Sequence, residues 1–164
     1  MSLRTQMCMV AVTVIALGHP ANAHFVKHRD PDDIEGKLDI RRSLIEPRLV
    51  GDVRTLDVTV RTHDRFHRGD LVTGGFYVDF DSRGDGARDF TLQLGLWKDG
   101  SLYCSLADRR GFSRAGGDEE KGPRSYSCSF DRSELNATRS IRWRVRSGNG
   151  GTEDSAPQQG WYAH

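Results

Sequence analysis

The sequence predicts an all-β protein, an antiparallel, jelly-roll-like β-sandwich of about seven or more strands. Seven short segments alternate apolar and polar residues with a period of two, which is typical of strands with one buried face. Turn residues separate these segments, and no window of eleven residues shows the period of an amphipathic helix. With 164 residues, the chain has the length of a single domain.

Each predicted strand is defined by the apolar residues that recur at every second position. Trp143 is in register with two aliphatic neighbours, so we expect it in the core. A tight hairpin is predicted at Lys98-Asp99-Gly100, between the fourth and fifth strands. In chain order the apolar sets are Leu38, Ile40 and Leu44; Leu56, Val58 and Val60; Phe76, Val78 and Phe80; Phe90, Leu92, Leu94 and Leu96; Leu102, Cys104 and Leu106; Tyr126, Cys128 and Phe130; and Ile141, Trp143 and Val145.

The first 23 residues have the features of an export signal. Arg4 precedes an apolar run from Cys8 to Leu17, and residues 21–23 match a small-x-small cleavage pattern. A short buried helix is the alternative interpretation of the apolar run. Cleavage after residue 23 predicts a secreted, extracellular protein that begins at His24.

The remaining chain divides by composition into three parts. Residues 24–36 are polar and charged and predict an extended N-terminal arm. The alternating segments place the sandwich domain at residues 37–147, and residues 148–164 are expected to form an irregular C-terminal tail. Within the domain, residues 111–124 are rich in glycine and charge, which predicts a mobile loop.

Charge and hydropathy exclude two classes of partner. Lys and Arg total 24 against 23 Asp and Glu, a net charge of +1 that argues against nucleic-acid binding. No apolar run is long enough for a membrane-spanning helix. Cleavage would remove Cys8, and outside the cytoplasm we expect Cys104 and Cys128 to form a disulfide.

An aspartate-rich loop follows the third predicted strand. Asp81, Asp85 and Asp89 fit positions of a calcium-binding loop, with a glycine where the backbone turns sharply. Arg83 departs from the pattern, because it stands where a ligand is expected. The three aspartates and the glycine still predict a calcium site with Asp81, Asp85 and Asp89 as ligands. The alternatives are a solvated hairpin whose aspartates form Asx-turns, and a cluster that Arg83 neutralises.

At this loop the sequence resembles the calcium-associated hairpin of secreted bacterial β-sandwich modules, which include carbohydrate-binding modules and DOMON-like domains. The loop is FDSRGDGARDF, at residues 80–90. The segments at 30–40 (DPDDIEGKLDI) and 135–145 (LNATRSIRWRV) are similar to uncharacterised actinobacterial exoproteins of this type. The resemblance covers residues 30–145 and implies a jelly-roll-like sandwich with a binding role.

Three aromatic residues are candidates for a ligand-binding face. By alternation Tyr77, Trp97 and Tyr103 point away from the apolar face of their strands. If those strands are neighbours, the three rings share one outer face, and exposed rings can stack on sugars. The alternatives are a second core layer and unrelated surface aromatics.

Three functional hypotheses follow. The first is a secreted, non-catalytic module, stabilised by calcium, that binds a carbohydrate or a cell-envelope ligand through Tyr77, Trp97 and Tyr103. The second is a copper-dependent polysaccharide monooxygenase, because a mature N-terminal His24 resembles the copper-chelating residue of such enzymes. The third is an interaction or inhibitor domain that uses a sheet edge or residues 111–124. A G-x-S-x-G nucleophile motif is absent from the sequence, and we predict that the protein is not an enzyme.

Overall fold

A computed structural model describes residues 26–111, 113–116, 118–137, 140–149 and 151–163. The export signal predicted for residues 1–23, together with His24, lies outside these residues. The described part of the chain consists of β-strands, two 3₁₀ helices and connecting turns. None of its helices is long and apolar enough to cross a membrane.

Twelve strands are present in the described residues, and seven of them coincide with the predicted segments. The 3₁₀ helices are Arg68–Leu71 and Arg132–Leu135. The strands are β1 (Val26–Arg29), β2 (Ile40–Val50), β3 (Val53–Thr62), β4 (Gly74–Asp81), β5 (Phe90–Leu96), β6 (Leu102–Asp108), β7 (Ser113–Gly116), β8 (Asp118–Gly122), β9 (Ser125–Asp131), β10 (Arg142–Asn149), β11 (Thr152–Ala156) and β12 (Tyr162–Ala163).

The strands form two antiparallel sheets, which confirms the predicted sandwich. The first sheet has the order β1-β2-β3-β9-β8, and the second has the order β11-β10-β4-β5-β6-β7. Strand β12 also pairs with β10, beside residues 142 and 143. The pairs β3–β9 and β4–β10 join strands that are far apart in the sequence.

The core lies between the sheets and contains most of the alternating apolar side chains of the predicted strands. The expectation for Leu44 is wrong: the register shifts at the start of β2, so that Ile45 is buried and Leu44 is only partly buried. Trp143 is completely buried, as the sequence predicts. The rings of Phe80 and Phe130 come from opposite sheets and meet edge to face, with centroids 6.0 Å apart. Burial of these apolar surfaces stabilises the packing of one sheet on the other.

A disulfide joins the two sheets. Cys104 lies in β6 of the second sheet and Cys128 in β9 of the first, and their Cα atoms are 6.1 Å apart. The structure therefore pairs these two cysteines, as the sequence predicts.

Some predicted irregular segments are strands, so the boundaries drawn from composition need correction. The predicted mobile loop at 111–124 contains β7 and β8, which lie at the edges of different sheets and carry the chain from the second sheet to the first. The predicted arm contains β1, and the predicted tail contains β11 and β12. These edge strands are held by backbone pairing, and a strand at a sheet edge does not need an alternating apolar sequence.

Candidate functional site

The outer face of the second sheet brings the three predicted aromatic residues together. Strands β4, β5 and β6 are neighbours, with Tyr77 opposite Gln93 and Tyr103 opposite Gly95. Trp97 follows β5 directly, and its ring centroid lies 4.6 Å from that of Tyr103, with the planes tilted by 42°. Trp97 is 57% exposed. We call Tyr77, Trp97 and Tyr103 the aromatic platform.

The platform is supported from below by the backbone and by the opposite sheet. The ring of Tyr103 lies over Gly95, which has no side chain to displace it. Tyr126 extends from β9 through the core, and its hydroxyl lies 2.9 Å from the carbonyl oxygen of Gly95 and 2.8 Å from that of Tyr103. Burial, together with the nearby Tyr77, raises the pKa of Tyr103. The platform is thus built on a backbone that a buried side chain holds in place.

Arginines of β10 border the platform on its other side. The guanidinium group of Arg146 lies 5.4 Å from the ring centroid of Tyr77, within the range of a cation–π contact. Arg144 lies 5.0 Å from the ring centroid of Trp161. Each of these two arginines therefore lies against an aromatic ring.

Asp79 fixes the positions of these arginines. Its carboxylate is completely buried and accepts hydrogen bonds from Nε of Arg144 and Nε of Arg146, both at 3.0 Å, and from the hydroxyl of Thr91 at 2.8 Å. Burial alone would raise the pKa of Asp79, but the hydrogen bonds from Arg146 and Thr91 outweigh it and hold the pKa below its usual value. Asp79 is a buried, ionised anchor for the arginines.

In the aspartate loop, Asp81 is surrounded by hydrogen-bond donors. Its carboxylate accepts backbone N–H groups of Gly84, Asp85 and Gly86 at 2.7, 3.1 and 2.8 Å, and it also contacts the guanidinium group of Arg142. Both oxygens have partners. These contacts outweigh burial and lower the pKa of Asp81.

Asp89 and Asp85 are also engaged within the loop. Asp89 accepts the backbone N–H groups of Ser82 and Arg83 at 3.0 and 3.1 Å, and it pairs with the guanidinium groups of Arg83 and Arg109 at 2.6 and 3.2 Å. Asp85 is half-exposed and forms an Asx-turn to the N–H of Ala87. This geometry corresponds to the alternative interpretation, in which turns and Arg83 satisfy the aspartates. Calcium at this loop stays a prediction, and an ion would have to displace these donors.

A different group of carboxylates, which the sequence analysis missed, converges at one point. Asp30 directly follows β1, Asp33 lies in the connection from β1 to β2, Asp39 directly precedes β2, and Asp154 lies in β11. One carboxylate oxygen from each lies within 4.8 Å of all the others. We call these four residues the acidic cluster. The dense acids of residues 30–39 were a signal, but nothing in the sequence placed Asp154 beside them.

The acidic cluster is buried and short of donors. Asp30, Asp39 and Asp154 are 8%, 3% and 4% exposed. Asp154 accepts the N–H of Ile40 at 2.7 Å, and Asp33 contacts the side-chain amide of Gln158. In the described residues, Oδ2 of Asp30 and both carboxylate oxygens of Asp39 are buried without a hydrogen-bond partner.

This arrangement disfavours the ionised form of the buried carboxyl groups and raises their pKa values. Burial, then repulsion by Asp154, Asp33 and Asp39, raises the pKa of Asp30 to about 7. Burial is also the largest cause that raises the pKa of Asp39 to about 6. As described, the cluster cannot hold four ionised carboxylates without a compensating positive charge.

The copper hypothesis needs a second histidine ligand besides His24, and the candidates His28, His63 and His67 have different contacts in the structure. The His28 ring stacks on Tyr162, with centroids 3.7 Å apart, and burial lowers the pKa of His28. His63 contacts the carbonyl oxygen of Asp30 at 3.3 Å, and the backbone N–H of His67 donates to Asp70 in the first 3₁₀ helix. His24, on which the copper hypothesis depends, lies outside the described residues.

No protein-family model, curated protein or solved structure matches this chain. The two-sheet sandwich, the aromatic platform and the acidic cluster are therefore the features from which a function can be inferred.

Proposed function

We propose that this protein is a secreted, non-catalytic binding module that holds a carbohydrate or cell-envelope saccharide on its aromatic platform. The observation that carries the proposal is the exposure of Trp97, 57%, on a ring that Tyr103 supports at 4.6 Å. An exposed ring that is supported from one side offers a flat apolar surface on which a ligand with a flat apolar face can stack. The C–H face of a pyranose ring has that property.

Polar groups around the platform suit the hydroxyl groups of a sugar. A shallow, open hollow of about 550 Å³ lies beside Trp97 and is bordered by Lys98, Asp99 and Ser101. These side chains can donate and accept hydrogen bonds at the edge of a stacked ring. Arg146 places a positive charge at the Tyr77 end of the same face.

The openness of this surface supports binding rather than catalysis. Catalytic groups act best in a preorganised site that excludes water, whereas the platform is an exposed sheet surface. The Cys104–Cys128 disulfide supports a location outside the cytoplasm, because disulfides persist in oxidising compartments.

A pull-down with insoluble polysaccharides, including cell-envelope glycans, tests the proposal. We expect wild-type protein to be retained and Trp97→Ala to lose about 5- to 30-fold in affinity, since stacking contributes roughly 1–2 kcal/mol. Leu49→Ala is the matched control, because Leu49 is also a large exposed apolar residue, 66% exposed, on the other sheet. Equal retention of both variants would contradict the assignment of the platform.

A second candidate function, protein interaction, is favoured by one observation. The end of the β2–β3 hairpin exposes Leu49, Val50 and Val53 by 66%, 56% and 47%. Contiguous exposed apolar residues often mark an interaction surface. If no polysaccharide retains the wild type, this hairpin end becomes the surface to test, with Leu49→Asp as the variant.

A further inference from the structure

We propose that Asp30, Asp33, Asp39 and Asp154 form a binding site for a divalent cation, and that Ca²⁺ is the ion it takes. The site is separate from the aromatic platform and from the aspartate loop. It does not depend on the proposed function.

The spacing of the carboxylate oxygens matches a coordination sphere. Calcium binds oxygen ligands at about 2.3–2.6 Å, so ligands on opposite sides of the ion are about 4.6–5.2 Å apart. One oxygen from each of the four aspartates lies within 4.8 Å of every other. A single ion between them can therefore contact all four carboxylates.

The unpartnered oxygens point independently to a missing positive charge. Asp39 is 3% exposed, and neither of its carboxylate oxygens has a donor in the described part of the chain; the same holds for Oδ2 of Asp30. Within the described residues, no lysine or arginine forms an ion pair with any of the four aspartates. Buried carboxylates normally have such partners or bind a metal.

The other buried aspartates of this protein provide an internal comparison. Asp79, Asp81 and Asp89 are also buried, yet each has an arginine partner and further N–H or O–H donors. The fold thus satisfies buried carboxylates elsewhere with its own donors. Only in the acidic cluster, among the described residues, do several buried carboxylates face one another without such donors.

The ligand chemistry selects the ion. An all-carboxylate set is hard and suits Ca²⁺ or Mg²⁺, whereas Zn²⁺ prefers nitrogen and sulfur ligands. Mg²⁺ dehydrates reluctantly and usually retains several waters. The adjoining cavity, which Asp39 and Asp154 border, has a volume of about 70 Å³, enough for one or two water molecules. Three buried carboxylates and so little room for water favour Ca²⁺.

The position of the site defines its role. Asp30, Asp33 and Asp39 belong to the connection between β1 and β2 of the first sheet, whereas Asp154 lies in β11, at the edge of the second sheet. The hydrogen bond from the N–H of Ile40 to Asp154 already joins these segments. A bound ion would link the two sheets at this edge and order the connection, which is a structural role.

The test compares purified protein stripped with chelator before and after Ca²⁺ is added, by calorimetric titration and thermal unfolding. We expect Ca²⁺ to bind the wild type at one site and to raise its Tm by mass action. Asp39→Asn should weaken Ca²⁺ binding at least tenfold. Asp33→Asn, at an exposed residue whose change leaves the core intact, should also weaken it.

The control and the contrary outcomes separate this site from the aspartate loop. Asp52→Asn, on the exposed turn between β2 and β3, is the control and should keep the Ca²⁺ affinity and the Ca²⁺-dependent rise in Tm of the wild type. Asp85→Asn changes a half-exposed aspartate of the loop where calcium is also predicted, and it shows which of the two groups binds the ion. If Ca²⁺ produces neither heat nor a rise in Tm in the wild type, the four carboxylates share protons instead of an ion and the proposal is wrong. Loss of binding in Asp85→Asn alone would also overturn it, and a larger effect of Mg²⁺ than of Ca²⁺ would overturn the choice of ion.

Discussion

Gly95 lies directly beneath the ring of Tyr103, its partner across the β5–β6 pair. A Cβ atom at position 95 would lie 2.8 Å from the Tyr103 hydroxyl oxygen and 2.9 Å from two ring carbons, closer than van der Waals contact permits. The ring therefore occupies the space that a side chain at 95 would need. The orientation of the aromatic platform depends on a glycine that no ligand would touch.

We expect Gly95→Ala to displace the Tyr103 ring and, with it, the support of Trp97. Overpacking of this kind costs about 1–3 kcal/mol of stability, and the loss of a preformed platform should weaken retention on polysaccharide. Gly148→Ala is the control, because a Cβ at Gly148 in β10 of the same sheet meets no atom within 4 Å. Urea unfolding and the pull-down assay measure the two effects, and identical behaviour of both variants would contradict this account.

Tyr126→Phe should destabilise the protein without altering its fold. The substitution removes the hydroxyl that donates to the carbonyl oxygens of Gly95 and Tyr103. The loss of a buried hydrogen bond lowers the free energy of unfolding by about 1–2 kcal/mol. Urea unfolding measures the change in the free energy of unfolding. An unchanged free energy of unfolding would show that other donors replace the hydroxyl.

The sequence predicted the central strands because their burial has a period of two. In β9, for example, Tyr126, Cys128 and Phe130 are buried while the intervening serines face outward. The same alternation of apolar and polar residues is visible in the sequence. The edge strands β7 and β8 lack it. Their segment is rich in glycine and charge, and their pairing depends on backbone groups that every residue possesses.

In the candidate sites too, features set by the local sequence could be predicted, whereas contacts between distant segments could not. The outward direction of Tyr77 and Tyr103 follows from alternation, so the platform could be predicted once their strands were taken as neighbours. The arginine partner of Asp81 is Arg142, which the β4–β10 pairing brings in from 61 positions away. Asp154 meets Asp39 by a contact between the two sheets, since β11 and β2 belong to different sheets. Neither contact has a signal in the local sequence.

Reduction of the Cys104–Cys128 disulfide should lower the free energy of unfolding by about 3–4 kcal/mol. The bridge closes a loop with a sequence separation of 24, and in the chain-entropy model its removal increases the entropy of the unfolded chain by that amount. Urea unfolding with and without reductant measures the difference. The double variant Cys104→Ser/Cys128→Ser should be as unstable as the reduced protein and should not respond to reductant. A native protein with two free thiols would contradict the pairing.

Ionised Asp79 should stabilise the folded protein, and acidification should remove this stabilisation. Burial alone would raise the pKa of Asp79, but the hydrogen bonds from Arg146 and Thr91 hold it below its usual value in the folded protein, whereas the unfolded chain has the usual value. Below about pH 4 the unfolded state therefore binds the proton first. The stabilisation is present above that pH and is lost as the pH falls through the lowered pKa of the folded state.

Asp79→Asn isolates this contribution. Near pH 6 we expect the variant to lose about 2–3 kcal/mol, because the amide cannot replace the ionised acceptor of two arginines and a threonine. The difference from the wild type should begin to shrink below about pH 4, because the unfolded wild-type chain binds the proton first, and it should be smallest below the lowered pKa of Asp79 in the folded state. Asp52→Asn, on the exposed turn between β2 and β3, is the control and should leave the free energy of unfolding unchanged at both pH values. Urea unfolding from pH 6 down to pH 2.5 measures all three proteins, and a difference that stays constant with pH would show that Asp79 is held by packing rather than by its charge.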